Sequence, residues 1–117
     1  MNTTVTWYGK SNASYQFQLF PVGTIFYSVS GVYVACRWLP TGQVEALYVG
    51  EAQSLKDRLN TGAKNHAGLL CAARKGMTHI GAIVVPDYAE RLCIDTDLRH
   101  GLEPSCNKQS VPRYNMS

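Results

Sequence analysis

The stretches Gly31-Val32-Tyr33 and Tyr48-Val49-Gly50 decide the fold of this chain. Each is apolar and carries a tyrosine close to a glycine, and Pro40-Thr41-Gly42 between them has the composition of a turn. Residues 32–36 and 44–49 are therefore predicted to form the two strands of a β-hairpin. If both tyrosines face one side of the hairpin, their phenol rings lie close together. The residue pattern by itself is more typical of an ordinary aromatic pair in a protein core.

Further elements are predicted on both sides of this hairpin. Alternating apolar and polar residues from Tyr15 to Leu19 predict a half-buried strand before it. Capping residues, composition and β propensity predict four elements after it: a helix opened by Ser54 and Asp57, a helix over 66–75, a strand over 78–85, and a helix over 88–100 that ends at Gly101. This order predicts an α+β fold, in which helices flank a small mixed or antiparallel sheet.

Composition limits the size and the surroundings of the protein. A chain of 117 residues, with 45% hydrophobic and 16% charged residues, is expected to form one globular domain. We place this domain at residues 15–107, between a flexible N-terminal segment (1–14) and a C-terminal tail (108–117). The net charge of +3 is compatible with nucleic-acid binding but does not require it.

The cysteines and the N-terminus indicate a cytoplasmic protein without a membrane span. Met1-Asn2-Thr3-Thr4 has neither the basic residues nor the apolar run of a signal peptide. Cys36, Cys71, Cys93 and Cys106 form no C-x-x-C pair and lie in apolar or small-residue stretches. Reduced, mostly buried thiols are therefore favoured over disulfides or a zinc site.

Arg58 is the first candidate for contact with a substrate. It follows Tyr48 by ten residues and lies on the predicted helix after the hairpin, so its guanidinium could be aimed at the two phenols. A planar, permanently charged guanidinium group is suited to phosphate oxygens. A solvated arginine on an amphipathic helix is the more frequent role for such a residue. His66 could contact phosphate or accept a proton near neutral pH.

Asp95 lies on a partly apolar stripe of the last predicted helix, together with Tyr88, Leu92 and Arg99. An acid in such a position is unusual unless it is paired or binds a metal ion. Arg91 and Arg99 each lie four residues from it, so a surface ion pair is the alternative to a metal ligand.

Five basic residues are candidates for contacts to a nucleic-acid backbone, which would make binding depend on salt concentration. An equally good explanation is that these residues form the ordinary charged surface of two helices. They lie on the two middle predicted helices: Lys56, Arg58, Lys64, Arg74 and Lys75.

Taken with Pro104-Ser105-Cys106-Asn107, these residues resemble the GIY-YIG nuclease family over about residues 31–107. The segments at residues 47–59 and 89–98 are especially close to the family pattern. The resemblance implies a divalent-metal-dependent endonuclease, using Mg²⁺ or Mn²⁺, that hydrolyses phosphodiester bonds in DNA. It implies a GIY-YIG-like fold for the domain.

The resemblance also implies a role for each candidate residue. Tyr33 would orient or deprotonate the attacking water, and Tyr48 would support the nucleophile and the phosphate. Arg58 would bind the scissile phosphate, while His66 would match a histidine found in a subset of the family. The last implied role, for Asn107, is to support the site by hydrogen bonding.

Two positions depart from the family pattern. Asp95 stands where the metal ligand is usually glutamate, and Glu51 stands where some members have a lysine. Aspartate offers the hard oxygen that Mg²⁺ prefers, but it is one methylene shorter. An acid at Glu51 weakens the electrostatic attraction of phosphate; it could interact with the dipole at a helix N-terminus or serve as a second carboxylate for a metal ion.

These departures leave two functions to weigh. The first is a DNA endonuclease with low intrinsic sequence specificity, because the domain has no room for a second DNA-binding module. The alternative is a catalytically impaired module of the same fold that binds nucleic acid or another protein. DNA is the expected partner, with RNA not excluded, and a homodimer or a protein partner is left open.

Overall fold

The computed structural model describes residues 3–108. Within them the strands are β1 (Thr3–Tyr8), β2 (Ser14–Pro21), β3 (Gly31–Trp38), β4 (Val44–Ala52) and β5 (His79–Val84). The helices are α1 (Ala67–Arg74), α2 (Tyr88–Leu102) and α3 (Ser105–Lys108). A π-helical turn (Asp57–Thr61) and a 3₁₀ turn (Ala63–Asn65) connect β4 to α1.

The strands form one sheet in the order β1-β2-β5-β3-β4, and every neighbouring pair is antiparallel. The α+β class is therefore confirmed, and of the two expected sheet types the antiparallel one is observed. The β3–β4 hairpin turns over residues 39–43, as its composition predicts, with Gly42 at a positive φ of 94°. β5 is inserted between the two hairpins and pairs with both of them.

The expectation of a flexible segment over residues 1–14 is wrong for β1. Thr3–Tyr8 pairs along the whole of β2, from Thr3 opposite Leu19 to Tyr8 opposite Ser14. Trp7 is buried and packs edge-on against Phe17, with 5.3 Å between the ring centroids. The threonines that give this segment its polar composition are β-branched, and such residues favour strands.

Side chains on the two faces of the sheet form two separate cores. Tyr33 and Ala35 of β3 belong to the cluster beneath α1 and α3. Val32 and Val34 belong to the cluster that includes Ile94 and Leu98 of α2. Successive side chains of β3 therefore enter different cores, as expected for a strand that is buried on both faces. The helices that cover these cores, α1 and α2, lie on opposite sides of the sheet.

The first predicted helix forms as a short, wide turn. The Ser54 hydroxyl accepts a hydrogen bond from the Asp57 amide at 3.2 Å, which agrees with the predicted cap. The next turn is closed by a bond from the Gly62 amide to the Asp57 carbonyl at 2.8 Å, which spans five residues. Arg58 therefore lies on a π-helical turn and not on a long helix.

The last long helix was predicted to end at Gly101, but it extends further. It continues to Leu102, and Glu103 adopts the left-handed conformation (φ 47°) at its C-terminus. A Cβ atom at Gly101 would lie 2.6 Å from backbone atoms of Gly9 and Lys10. The glycine therefore allows the β1–β2 turn to approach the helix closely.

The expectation of four reduced cysteines is also wrong. Cys71 of α1 and Cys106 of α3 form a disulfide with a Cα–Cα distance of 5.8 Å. Cys36 is a buried free thiol and Cys93 is an exposed one. The sequence offered no spacing signal for the pair, because its partners are 35 residues apart. None of the helices within residues 3–108 is long and apolar enough to span a bilayer.

Candidate functional site

The structure brings four of the predicted site residues together around the hydroxyl group of Tyr33. This tyrosine is fully buried, with 0% of its surface exposed. Its hydroxyl lies 2.6 Å from Nε2 of His66 and 3.5 Å from Nε of Arg58. The ring of Tyr48 completes the group, with centroids 6.2 Å from Tyr33 and 5.2 Å from His66. The expected convergence of the two phenols is therefore observed.

The start of α1 determines which ring nitrogen of His66 donates a hydrogen bond and which one accepts. Its Nδ1 accepts a hydrogen bond from the Leu69 amide at 3.3 Å, so that the imidazole caps the helix. With Nδ1 acting as an acceptor, the neutral ring carries its proton on Nε2 and donates it to Tyr33. Burial, followed by the charge of Arg58, lowers the pKa of His66 from 6.5 to about 4. The ring is therefore neutral at physiological pH.

Tyr33 is held as a neutral phenol. Burial raises the pKa of Tyr33 above its ordinary value of 10.0, because the hydrogen bond from Arg58 offsets only part of the lost hydration. The phenol oxygen accepts from both His66 and Arg58, and its own proton is left to bond a further acceptor. In this arrangement Tyr33 is a hydrogen-bonding group and not a ready base.

Two glycines make room for the tyrosines. A Cβ atom on Gly50 would lie 2.5 Å from the Tyr33 hydroxyl, and one on Gly68 would overlap the ring of Tyr48. Gly50 lies within β4, which continues to Ala52, so it does not end the strand as predicted. Sequence reasoning missed Gly68, although a glycine inside a run of helix-forming residues is a sign of close packing.

Arg58 connects this buried cluster to the surface. Its side chain is exposed, and it lines an open, polar groove of about 710 Å³ together with Glu51, Gln53, Ser54 and Asp57. Nε is the atom directed at Tyr33, and the guanidinium also interacts with the Tyr48 side chain while it lines this groove. The alternative of an arginine that is merely solvated does not account for the bond to a buried phenol.

Asn107 supports the site from the open edge of the sheet. Its Oδ1 accepts from the Val49 amide at 2.8 Å, and its Nδ2 donates to the Val49 carbonyl at 2.9 Å. Both backbone groups of an edge-strand residue are thereby satisfied. Val49 directly follows Tyr48, so the hydrogen-bonding part of the role implied for Asn107 corresponds to an observed contact.

Asp95 lies on the helix that covers the other face of the sheet from the tyrosine cluster. It belongs to α2, and its Oδ1 accepts a hydrogen bond from Arg99 Nε at 2.9 Å. The ion pair weighed as an alternative is therefore present, with Arg99 as the partner. Burial raises the pKa of Asp95, Arg99 offsets part of this, and the charge of Glu51 raises it further. The charge of Asp95 in turn contributes to the raised pKa of Tyr33, which indicates that the two groups are near each other.

Arg91, the other candidate partner of Asp95, binds Glu51 instead. Its Nε lies 2.8 Å from a carboxylate oxygen of Glu51, and its Nη1 donates to the carbonyls of Val85 and Pro86. The arginine is buried and also lies under the ring of Tyr88. This pair was missed because the sequence separation of 40 residues gives no local signal.

The five candidate nucleic-acid contacts are all exposed, but they do not form one group along the chain. Lys56, Arg58 and Lys64 belong to the turns that precede His66. Arg74 and Lys75 lie at the C-terminal end of α1, the end opposite to His66. Of the five, Arg58 is the residue that lines the groove.

Residues 3–108 contain no group of three or more histidine, cysteine or acidic side chains arranged to hold a metal ion. Two carboxylates remain as candidates: Asp95, whose pKa is raised in part by the charge of Glu51, and Glu51 itself. Comparison with models of known protein families, with curated proteins and with solved structures finds no match to this chain. The resemblance to GIY-YIG nucleases therefore rests on the residues quoted above and stays a prediction.

Proposed function

We propose that this protein is a GIY-YIG-type endonuclease that hydrolyses phosphodiester bonds in DNA with the help of Mg²⁺ or Mn²⁺. One observation carries the proposal: the Tyr33 hydroxyl is held by both His66 and Arg58, and the same arginine extends into an open polar groove. An aromatic pair that served the core alone would not need a guanidinium group shared with the surface.

Each residue of the cluster has a task in this proposal. The terminal amino groups of Arg58 bind the scissile phosphate and stabilise the negative charge that develops on it. His66 holds the Tyr33 oxygen in place through Nε2–H, and Tyr33 uses its free proton or its oxygen to orient the attacking water. Tyr48 supports the phosphate from the neighbouring position on β4. Because Tyr33 is neutral, the cluster works mainly by positioning.

A metal ion would be held by Asp95, with Glu51 as a second carboxylate. Mg²⁺ in phosphoryl chemistry commonly uses one or two carboxylates and takes its remaining ligands from water and phosphate, so this small donor set fits the ion. When bound, the ion polarises the phosphate and stabilises the leaving oxygen. Arg99 and Arg91 keep the two carboxylates oriented before it binds.

The test is nicking of supercoiled plasmid DNA with Mg²⁺ or Mn²⁺. Arg58→Ala and Asp95→Ala are each expected to lower the nicking rate by about 10²-fold or more, since each removes charge stabilisation in the transition state. Arg37→Ala and Glu90→Ala are matched controls, because these charged residues lie outside the cluster and are expected to keep wild-type activity. A folded wild-type protein that never nicks DNA, with either metal ion, contradicts the proposal.

A second function is favoured by one specific observation. Asp95 and Glu51 already have arginine partners at 2.9 Å and 2.8 Å, so each would have to share or lose its partner to bind a metal ion. A module that binds DNA without cutting it keeps both pairs. It would show salt-dependent binding in fluorescence anisotropy that Arg58→Ala weakens, with no metal-dependent nicking.

A further inference from the structure

The disulfide links the two elements that support the site from one side. Cys71 belongs to α1, whose first turn is capped by His66. Cys106 belongs to α3 and directly precedes Asn107, which holds the backbone of Val49. One covalent bond therefore lies between the element that carries the histidine and the element that carries the asparagine.

α3 is short, and the disulfide is one of the contacts that fix its position. It contains four residues, and a helix of that length has no stability of its own in water. The described contacts that hold it are the disulfide, the burial of Pro104 before it, and the two hydrogen bonds between Asn107 and Val49. Removing the disulfide takes away the covalent link between α3 and α1 and leaves non-covalent contacts, among them the two hydrogen bonds to Val49, to hold α3.

We propose that the oxidation state of Cys71 and Cys106 regulates the site. In the oxidised protein the disulfide keeps Asn107 on Val49, and β4 presents Tyr48 to His66. A dithiol reductant supplies two electrons and two protons, the S–S bond breaks, two thiols form, and the reductant becomes a disulfide. Asn107 then leaves Val49 for part of the time, and the Tyr48 position loosens. The effect on DNA cleavage rests on the proposed function, whereas the effect on Val49 does not.

The experiment compares the full chain in its oxidised form and after treatment with dithiothreitol, with thiol titration to confirm each state. Hydrogen exchange of the Val49 amide, which bonds Asn107 only while the contact holds, is measured by NMR. We expect about tenfold faster exchange in the reduced protein, the size of effect that goes with losing one or two hydrogen bonds. Plasmid nicking by the same two samples is expected to fall on reduction.

Variants separate this effect from other consequences of reduction. Cys106→Ser is expected to behave like the reduced protein in both conditions. Cys93→Ser, which changes an exposed free thiol on the other face of the sheet, is expected to respond to dithiothreitol as the wild type does. Asn107→Ala is expected to give fast Val49 exchange whether or not the disulfide is present.

The outcomes distinguish the two proposals. Val49 exchange that is the same in both states overturns the regulatory proposal, whatever happens to nicking. Faster exchange also overturns it if both forms nick DNA at the same measurable rate. Faster exchange with slower nicking supports it. If exchange accelerates while neither form cuts DNA, the control of Asn107 by the disulfide is supported and the proposed nuclease activity fails.

Discussion

His66 shows how much of the site depends on single atoms. Its Nδ1 is engaged by the start of α1 and its Nε2 by Tyr33, so the same ring caps a helix and orients a phenol. Spacing in the sequence could suggest that Arg58 and the two tyrosines meet. It could not assign the tautomer of His66, because that depends on a backbone amide whose direction is set only when the helix has formed.

This environment predicts a pH dependence of stability. The pKa of His66 falls from 6.5 to about 4 on folding, so below pH 6.5 the unfolded chain binds a proton that the folded chain does not. The contribution of His66 is present in full above pH 6.5 and is lost as the pH falls towards 4. Between pH 7 and pH 5, wild type is expected to lose roughly 1 to 2 kcal/mol more than His66→Gln.

Urea denaturation at several pH values measures this difference. The acidic side chains with shifted pKa values, Asp95 and Asp97, are present in both proteins, so their contributions cancel in the comparison. Equal slopes of unfolding free energy against pH would show that His66 is not held neutral by folding.

At the scale of the element, the start of α1 is shaped by the aromatic ring that it covers. Gly68 lies in the first turn of this helix, where a larger residue would meet Tyr48. Local sequence predicted this helix and the β3–β4 hairpin well, because capping, turn and alternation signals agree there. It failed for β1, where threonines look polar in composition but pair as a strand around buried Trp7.

A double-mutant cycle tests the close approach of Gly68 and Tyr48. In the wild-type background Gly68→Ala is expected to destabilise the protein by about 1 to 3 kcal/mol, because its Cβ overlaps the ring. In a Tyr48→Ala background the overlap is gone, and the same substitution is expected to stabilise by up to about 1 kcal/mol through helix propensity. A destabilisation of the same size in both backgrounds, measured by denaturant unfolding, would exclude the contact as its cause.

For the molecule as a whole, the ion pair between Glu51 and Arg91 fastens α2 to the edge strand β4. α1 and α3 cover one face and α2 covers the other, so the tyrosine cluster and Asp95 approach the same strand from opposite sides. Sequence patterns gave Asp95 a place on a helical stripe, yet they could not say which face of the sheet the helix covers. That choice depends on the packing of Ile94 and Leu98.

Arg91→Met tests the importance of this connection. The substitution keeps an apolar side chain of similar length but leaves Glu51, Val85 and Pro86 without their donor. We expect a loss of about 1 to 3 kcal/mol in the free energy of unfolding, because the partly buried Glu51 and two backbone carbonyls lose hydrogen bonds to a charged donor. Glu90→Met, at an exposed position on the same helix, is the matched control and is expected to change stability by less than about 0.5 kcal/mol.

The position of β5 has a consequence for how the chain acquires its structure during synthesis. The β1–β2 and β3–β4 hairpins come first in the chain, but β5 is the strand that joins them. An isolated two-stranded hairpin is marginally stable in water, so the β1–β2 hairpin is not expected to persist on its own, whereas the β3–β4 hairpin can pack against α1 before β5 is made. A nascent chain that has not yet released residues 79–84 from the ribosome therefore has two unconnected halves of a sheet, and folding is completed in a single late step.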